Sequence, residues 1–310
     1  MLTYTTALLP LLAGCHVFAD GEIPLTCDDL ADCDPVFGAD SGVPQDAFTL
    51  SAGLALSMTD VEQWLAIAYD PPALDLQLQK GGYGSTAGAV SWSSDRNRLF
   101  LAADGALLAF GADKSDIKKF ELPTAEGVRD MVTLNQSVFL ISNSWLIKQP
   151  SPNAEAIVLN DSDGGLGFVS MVADGLSLYI VAVKDDGGPS LYRYDTETDD
   201  IEMLAEAFDV STEKIDGDLF LDDAGALMSC SAAGEIYILD EVIADGIETP
   251  IVSPSVLTVS DVLTCGIDPE TGRFLVISAS QGLIVLSPDE DDVRIELTAE
   301  GHTLGGAQIY

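Results

Sequence analysis

The chain has 310 residues, of which 47% are hydrophobic, so it can bury a large core and is not a disordered chain. Asp and Glu number 51 against 13 Lys and Arg, which gives a formal net charge of −38. Because this charge repels phosphate backbones and anionic headgroups, we exclude nucleic acid as a partner. Two explanations of the acidity stay open: solubility in a saline or extracellular setting, and binding of cations or of a basic partner.

The N-terminal residues form a short apolar run that ends at Cys15. Residues 5–14 are too few to span a bilayer as a helix, but they fit the hydrophobic region of a signal peptide. The sequence Leu12-Ala13-Gly14-Cys15 resembles the lipobox of bacterial lipoproteins, whose cysteine is acylated and becomes the mature N-terminus. Residues 1–6 lack the Lys or Arg of most signal peptides, which leaves open whether Met1 is the true start. A buried free cysteine is the alternative for Cys15.

The lipobox resemblance also implies an address. Residues 1–14 would be the signal peptide, and the lipid on Cys15 would anchor the exported protein to a membrane. His16 rather than Asp follows the cysteine, which by the sorting rule of enteric bacteria implies the outer membrane or cell surface. Residues 15–47, which hold Gly, Pro and Asp without a sustained period, predict a lipidated N-terminus and tether, and residues 48–310 predict the folded domain.

Five cysteines are present, at positions 15, 27, 33, 230 and 265. If Cys15 takes the lipid, four remain, which an oxidising compartment would pair as two disulfides. The pairing Cys27–Cys33 is local, and Cys230–Cys265 would then join two neighbouring repeats. Zinc binding by these four cysteines is the alternative, but their spacing matches no zinc pattern.

From residue 48 onward, short apolar runs alternate with turn residues and no segment keeps a long helical period, which is typical of an all-β fold. A hairpin of two strands around a tight turn recurs in residues 54–69, 98–110, 137–148, 176–194, 226–239 and 273–286. A further alternating segment follows each hairpin, at 74–79, 117–122, 155–159, 201–207, 249–252 and 293–297. One more apolar strand completes each unit, at 87–92, 130–134, 168–172, 216–221, 261–267 and 305–310.

The repeating unit is thus four strands with a period of roughly 40 to 48 residues, the size of a propeller blade. Residues 48–80 supply three strands of a unit, and residues 305–310 are one orphan strand. We therefore predict a six-bladed β-propeller of four-stranded blades, closed by the C-terminal strand joining the N-terminal blade. An open twisted stack or a pair of β-sandwiches is the alternative. Residues 48–310 resemble the broad set of bacterial β-propeller lipoproteins and secreted propellers, without the signature of one propeller family.

Few residues are suited to catalysis. The chain has two histidines, His16 and His302, and no Gly-x-Ser-x-Gly, phosphate-loop or paired-His motif. Three predicted innermost strands begin with an aspartate, namely Asp130, Asp216 and Asp261, and we expect these residues at one mouth of the channel. Carboxylates that converge there would hold a calcium ion or act as a general base. The alternative is that each accepts backbone N–H bonds in its own turn.

The preceding loops place Arg129, Lys214 and His302 at the same mouth, as candidates for binding a partner. A local ion pair is the alternative for Arg129 and for Lys214. The leading hypothesis is an exported surface or periplasmic lipoprotein that acts as a non-catalytic module and binds a protein or cell-surface partner through a propeller face. The alternatives are a calcium-dependent hydrolase, by analogy with lactonase-like and esterase-like propellers, and a structural subunit of a cell-surface assembly.

Overall fold

The computed structural model describes the folded domain but not the N-terminal segment. The residues described are 51–59, 64–69, 77–81, 87–93, 98–103, 105–111, 117–123, 127–150, 157–161, 166–184, 188–206, 217–240, 243, 249–254, 258–287, 290–295 and 303–310. The predicted signal peptide, the tether, and Cys15, Cys27 and Cys33 therefore lie outside the described residues.

Within this part of the chain, 23 strands assemble into six antiparallel sheets, and all consecutive strands of a sheet are paired. The first sheet combines β1 (Leu54–Thr59), β2 (Trp64–Tyr69) and β3 (Gln77–Gly81) with the last strand, β23 (Thr303–Ile309). The second contains β4 (Ala87–Trp92), β5 (Arg98–Ala103), β6 (Ala106–Gly111) and β7 (Ile117–Glu121). The third contains β8 (Asp130–Leu134), β9 (Ser137–Ile141), β10 (Trp145–Gln149) and β11 (Ile157–Asp161).

The remaining three sheets follow in chain order. The fourth contains β12 (Leu166–Asp174), β13 (Ser177–Lys184), β14 (Pro189–Asp195) and β15 (Asp200–Ala205). The fifth contains β16 (Asp218–Leu221), β17 (Leu227–Cys230) and β18 (Ile236–Ile238). The sixth contains β19 (Val262–Ile267), β20 (Phe274–Ser278), β21 (Gly282–Ser287) and β22 (Glu290–Ile295).

The middle strand β5 reads as a nearly continuous apolar run because both of its faces are buried. In β5, five of the six residues are buried, and the turn into β6 is made by Gly105 with φ 74°. The core lies between successive sheets rather than at a single centre. Phe139 of the third sheet packs on Tyr194 of the fourth with ring centroids 5.7 Å apart, and Phe220 of the fifth packs on Phe274 of the sixth at 6.5 Å.

One edge strand of each sheet lies next to the corresponding strand of the next sheet. We call these six strands, β23, β4, β8, β12, β16 and β19, the inner strands. In the order β23, β4, β8, β12, β16 and β19, each inner strand contacts the next one. The last of them, β19, contacts β23. The approach is closest between β23 and β4, where a Cβ added to Gly306 would overlap the carbonyl oxygen of Gly88. Glycine at this position lets the two backbones meet.

The first and last strands of the described domain are paired, as the orphan strand predicts. β1 and β23 run antiparallel, with Leu54 opposite Ile309 and Thr59 opposite Thr303. Beyond the strand ends, Gly53 N–H donates to the Tyr310 carbonyl at 2.7 Å and Tyr310 N–H donates to the Gly53 carbonyl at 3.0 Å. The first and the last described strand, β1 and β23, therefore belong to one sheet.

The fifth sheet departs from the predicted four strands. The expected fourth strand at 249–252 is reduced to a single bridge, in which Ile236 N–H donates to the Val252 carbonyl at 3.0 Å and Ile251 N–H donates back at 2.8 Å. Pro250 and Pro254 flank this bridge. Because proline has no N–H and a fixed φ, it prevents the ladder from extending in either direction.

A buried aspartate ties the start of the described domain to the sixth sheet. Asp268 Oδ1 accepts hydrogen bonds from Ser51 N–H at 2.8 Å, Ser51 Oγ at 2.6 Å and Ala52 N–H at 2.8 Å, while Oδ2 accepts from Thr271 Oγ1 at 2.6 Å. Burial by itself would raise the pKa of Asp268, but these hydrogen bonds outweigh it and hold the pKa below its usual range. The carboxylate thus links residues more than two hundred positions apart in sequence.

We expect Asp268→Ala to lower the free energy of unfolding by about 2–4 kcal/mol, because it leaves buried donors without an acceptor. Urea denaturation at neutral pH measures this loss. Asp222→Ala is the matched control, since Asp222 accepts only from Ala224 and Ala226 within its own turn. Equal losses in the two variants would contradict a long-range tie at Asp268.

Candidate functional site

A cavity of about 270 Å³ lies between the inner strands and is the candidate functional site. Its wall is formed by residues of β8, β12, β16, β19 and β23, together with Asp223 after β16 and Tyr310 after β23, and three of its residues are aspartates: Asp130, Asp218 and Asp223. Most of the remaining wall is apolar, with Met131, Met171 and Phe220 among its residues. The inner strands therefore bring two carboxylates into one largely apolar space.

Asp130 is the first residue of β8 and connects β8 to its neighbour β12. Its Oδ1 accepts the N–H of Met131 at 2.7 Å, and its Oδ2 accepts the N–H of Met171 on β12 at 2.8 Å. Arg129 lies beside it, is exposed, and donates from its guanidinium to the carbonyl of Phe168 at 3.3 Å. The carboxylate thus accepts one hydrogen bond within its own strand and one from the next sheet.

Asp218 repeats this arrangement two sheets further on. It is the first residue of β16, its Oδ1 accepts the N–H of Leu219 at 2.8 Å, and its Oδ2 accepts the N–H of Cys265 on β19 at 3.3 Å. The Thr264 side chain also hydrogen bonds to it. Both aspartates therefore join an inner strand to the inner strand that follows.

The two carboxylates share an environment that disfavours their charge. Burial raises the pKa of Asp130 to about 6, against the opposing effects of the N–H groups of Met171 and Met131 and of the Arg129 charge. Burial also raises the pKa of Asp218 well above its usual range, and the negative charge of Asp130 raises it further. Each oxygen of the two carboxylates accepts one backbone N–H, so both side chains are held in place by the inner strands.

The structure brings together only part of the predicted channel-mouth set. Asp130 lines the cavity and Arg129 lies next to it, whereas Asp261 is exposed, has φ 54°, and is not part of the cavity wall. Asp216, Lys214 and His302 lie outside the described residues. Within the described ranges, no group of three or more His, Cys, Asp or Glu side chains is placed to hold a metal ion.

Sequence reasoning missed Asp218, Thr264 and Gln308 as cavity residues. Asp218 was missed because the predicted strand began two residues too early, at Asp216. Aligning the aspartates rather than the apolar strand centres would have found it, because Asp130 and Asp218 are each followed by a buried apolar residue. No sequence pattern marks Gln308 as a cavity residue. Its Oε1 accepts the backbone N–H of Trp92 at 2.9 Å, which is a contact between β23 and β4.

Cys230 and Cys265 form a disulfide that links the fifth and sixth sheets, with Cα atoms 6.5 Å apart. Both cysteines are buried. The bond lies next to the Asp218 tie, since the N–H of Cys265 is the group that Asp218 accepts. A covalent link and a carboxylate thus fasten the same pair of sheets.

No protein-family model matches the chain, and no curated protein matches it significantly. Among solved structures, the nidogen/laminin complex is similar over 83% of this chain and 98% of that chain, with a TM-score of 0.53 and 9% identity. The extracellular domain of a one component system from B. thetaiotaomicron is similar over 81% of this chain and 34% of that chain, with a TM-score of 0.52 and 15% identity. The β-propeller domain of Cps50 (Swd1) from Myceliophteria thermophila is similar over 79% of this chain and 87% of that chain, with a TM-score of 0.49 and 13% identity. The similar structure in the nidogen/laminin complex is a β-propeller, so the domain has a β-propeller fold.

In the described part of the chain, no helix is both long and apolar enough to cross a membrane.

We expect Asp130→Asn to remove a pH-dependent loss of stability. Asp130 has a pKa of about 6 in the folded chain and about 4 when unfolded, so the folded state binds the extra proton between these values. Raising the pH through this window therefore destabilises the wild-type protein, by up to about 3 kcal/mol, relative to the variant. Urea denaturation between pH 4.5 and 7.5 measures the difference. Asp261→Asn, outside the cavity, should keep the wild-type profile, and parallel profiles for all three proteins would refute the assignment.

Proposed function

We propose that this protein is an exported lipoprotein whose domain is a six-bladed propeller, closed by the pairing of β23 with β1, and that it binds a protein partner through one propeller face. The blade count is supported by the six sheets and by the cyclic order in which the inner strands contact one another. Ring closure is supported by the ladder between β1 and β23 and by the Asp268 tie from the sixth sheet to Ser51. In such a closed ring, the first and the last blade would pack against each other, so neither would keep an exposed sheet face.

The observation that carries a binding rather than a catalytic role is the use of the cavity carboxylates. Asp130 and Asp218 both accept backbone N–H groups from two inner strands. Residues bonded in this way fix the inner strands relative to one another. The ring is therefore best suited to be a rigid platform. Side chains on a rigid surface bind a partner without the entropy cost of ordering a flexible segment.

The proposed binding face is the one that carries Arg129. This side chain is exposed at the Asp130 end of the inner strands, in a chain that has only 13 basic residues. The similar nidogen structure is that of a complex with laminin, which is a precedent for protein recognition by this fold. We propose that Arg129, with Lys214 and His302 from the preceding loops, contacts the partner.

We expect Arg129→Glu to abolish retention of a partner from the envelope fraction of the source organism, because it reverses a charge on the proposed face. Lys119→Glu is the matched control, since Lys119 is 59% exposed on the outer strand β7, away from the inner strands, and forms a local ion pair with Glu121. Affinity purification with quantitative mass spectrometry compares the three proteins. A partner lost equally from both variants would contradict the face assignment, and calcium-dependent hydrolysis of lactones or esters would contradict a non-catalytic role.

We also expect Cys15→Ala to move the protein from the membrane fraction to the soluble envelope fraction, because the proposed lipid supplies the anchor. Mass spectrometry of the mature N-terminus measures the modification directly. Cys33→Ala is the control, as it changes a cysteine that the lipobox does not include. An unmodified Cys15 in the mature chain would refute the anchor.

A further inference from the structure

The outer strand of the fourth sheet exposes apolar side chains. Ile201, Met203 and Leu204 of β15 are 40%, 44% and 43% exposed. Leu176, 44% exposed, lies at the same end of the sheet as the β14–β15 turn, because its carbonyl accepts the N–H of Thr196 at 2.9 Å. Among the described residues only one other large hydrophobic side chain, Ile251, is comparably exposed. The exposed apolar side chains of the domain are thus concentrated on one sheet.

Both faces of β15 are exposed, since the residues from Asp200 to Leu204 are all exposed in succession. A β-bulge also lies in this strand. Tyr192 lies opposite Met203 and Leu191 lies opposite Ala205, so Leu204 has no opposite residue on β14. The apolar side chains of β15 are therefore accessible from either side of the strand.

The backbone edge of β15 is also open. Within the described residues β15 pairs with β14 alone, so its other side has no strand partner. The outer strand of the second sheet, β7, carries Lys118 and Lys119 and is the kind of charged edge that discourages strand addition. β15 contains no lysine, and its sequence DIEMLA combines apolar and acidic residues. An extended segment could add to this edge through main-chain hydrogen bonds.

The charge around β15 selects the partner. Arg193 is paired with Glu202 at 2.6 Å and Lys148 with Asp199 at 2.5 Å, so both nearby cations are committed. Glu197, in the turn before β15, and Asp200, its first residue, are exposed, and neither forms an ion pair with another described residue. A second copy of this chain would bring the same carboxylates to the edge and would repel it, whereas a cationic segment would be attracted.

We propose that the open edge of β15 is a docking site for an extended, positively charged segment of a partner protein. The segment adds as a further strand, its apolar residues cover Ile201, Met203 and Leu204, and its Lys or Arg side chains meet Glu197 and Asp200. This site is separate from the face that carries Arg129, and it does not depend on what that face binds.

The test uses a dye-labelled peptide, Lys-Val-Lys-Thr-Lys-Val-Lys, titrated with the purified domain and followed by fluorescence anisotropy. We expect binding that Met203→Lys, Leu204→Lys and their combination weaken at least tenfold. Ile251→Lys is the matched control because it places the same charge at an equally exposed apolar position, and it should bind as the wild type does. Circular dichroism verifies that each variant is folded.

Two control peptides separate strand addition from the general attraction of an acidic chain for cations. A copy with alternate backbone amides N-methylated cannot complete the ladder, and a copy with Glu for Lys has the wrong charge, so neither should bind. Equal weakening by Met203→Lys and Ile251→Lys, equal binding of the methylated peptide, or no binding of the Lys peptide would each overturn the proposal. So would a wild-type dimer in sedimentation that Leu204→Lys dissolves, because a second copy would then occupy the edge. Arg129→Glu should bind the peptide normally, which keeps this test distinct from that of the Arg129 face.

Discussion

The architecture depends on one constraint, which is that each sheet buries both of its faces against neighbours. A linear row of such sheets would leave the first and the last with an exposed apolar face. In this domain the first sheet is completed by the last strand, and the buried carboxylate of Asp268 holds Ser51 against the sixth sheet. Among the described residues, five hydrophobic clusters lie between consecutive sheets from the first to the sixth, and the contacts of β23 and Asp268 join the sixth sheet to the first.

Because the inner strands lie close together, their buried N–H groups need hydrogen-bond acceptors other than water. Asp130 and Asp218 provide such acceptors: each accepts an N–H from the neighbouring sheet, at the cost of burying a charge. Where β23 meets β4, the backbones themselves come close, because Gly306 has no side chain to overlap the carbonyl of Gly88. The acidity of the chain thus has an internal component besides its solvated surface.

Much of the fold could be predicted from the sequence because strand alternation and turn residues are local signals. The hairpin that becomes β5 and β6, with Gly105 at its turn, and the orphan strand that becomes β23 were both predicted in kind. Strand ends were less predictable, since they depend on pairing partners. Pro250 and Pro254 were visible in the sequence, but their consequence, a three-stranded fifth sheet, follows only once Val252, which they flank, is seen to be the residue that pairs with Ile236.

The sequence by itself determined the repeat, its phase and the excess of negative charge, because each is written in residue types and their spacing. Only the tertiary structure decided which aspartates share an environment. Asp130 lines the cavity and Asp261 does not, although both begin a predicted strand, and Asp218 lines it although no pattern singled it out. The reason is physical: a shift of one residue in a strand moves a side chain to the opposite face, and the register is set by pairing with the neighbouring strand of the sheet.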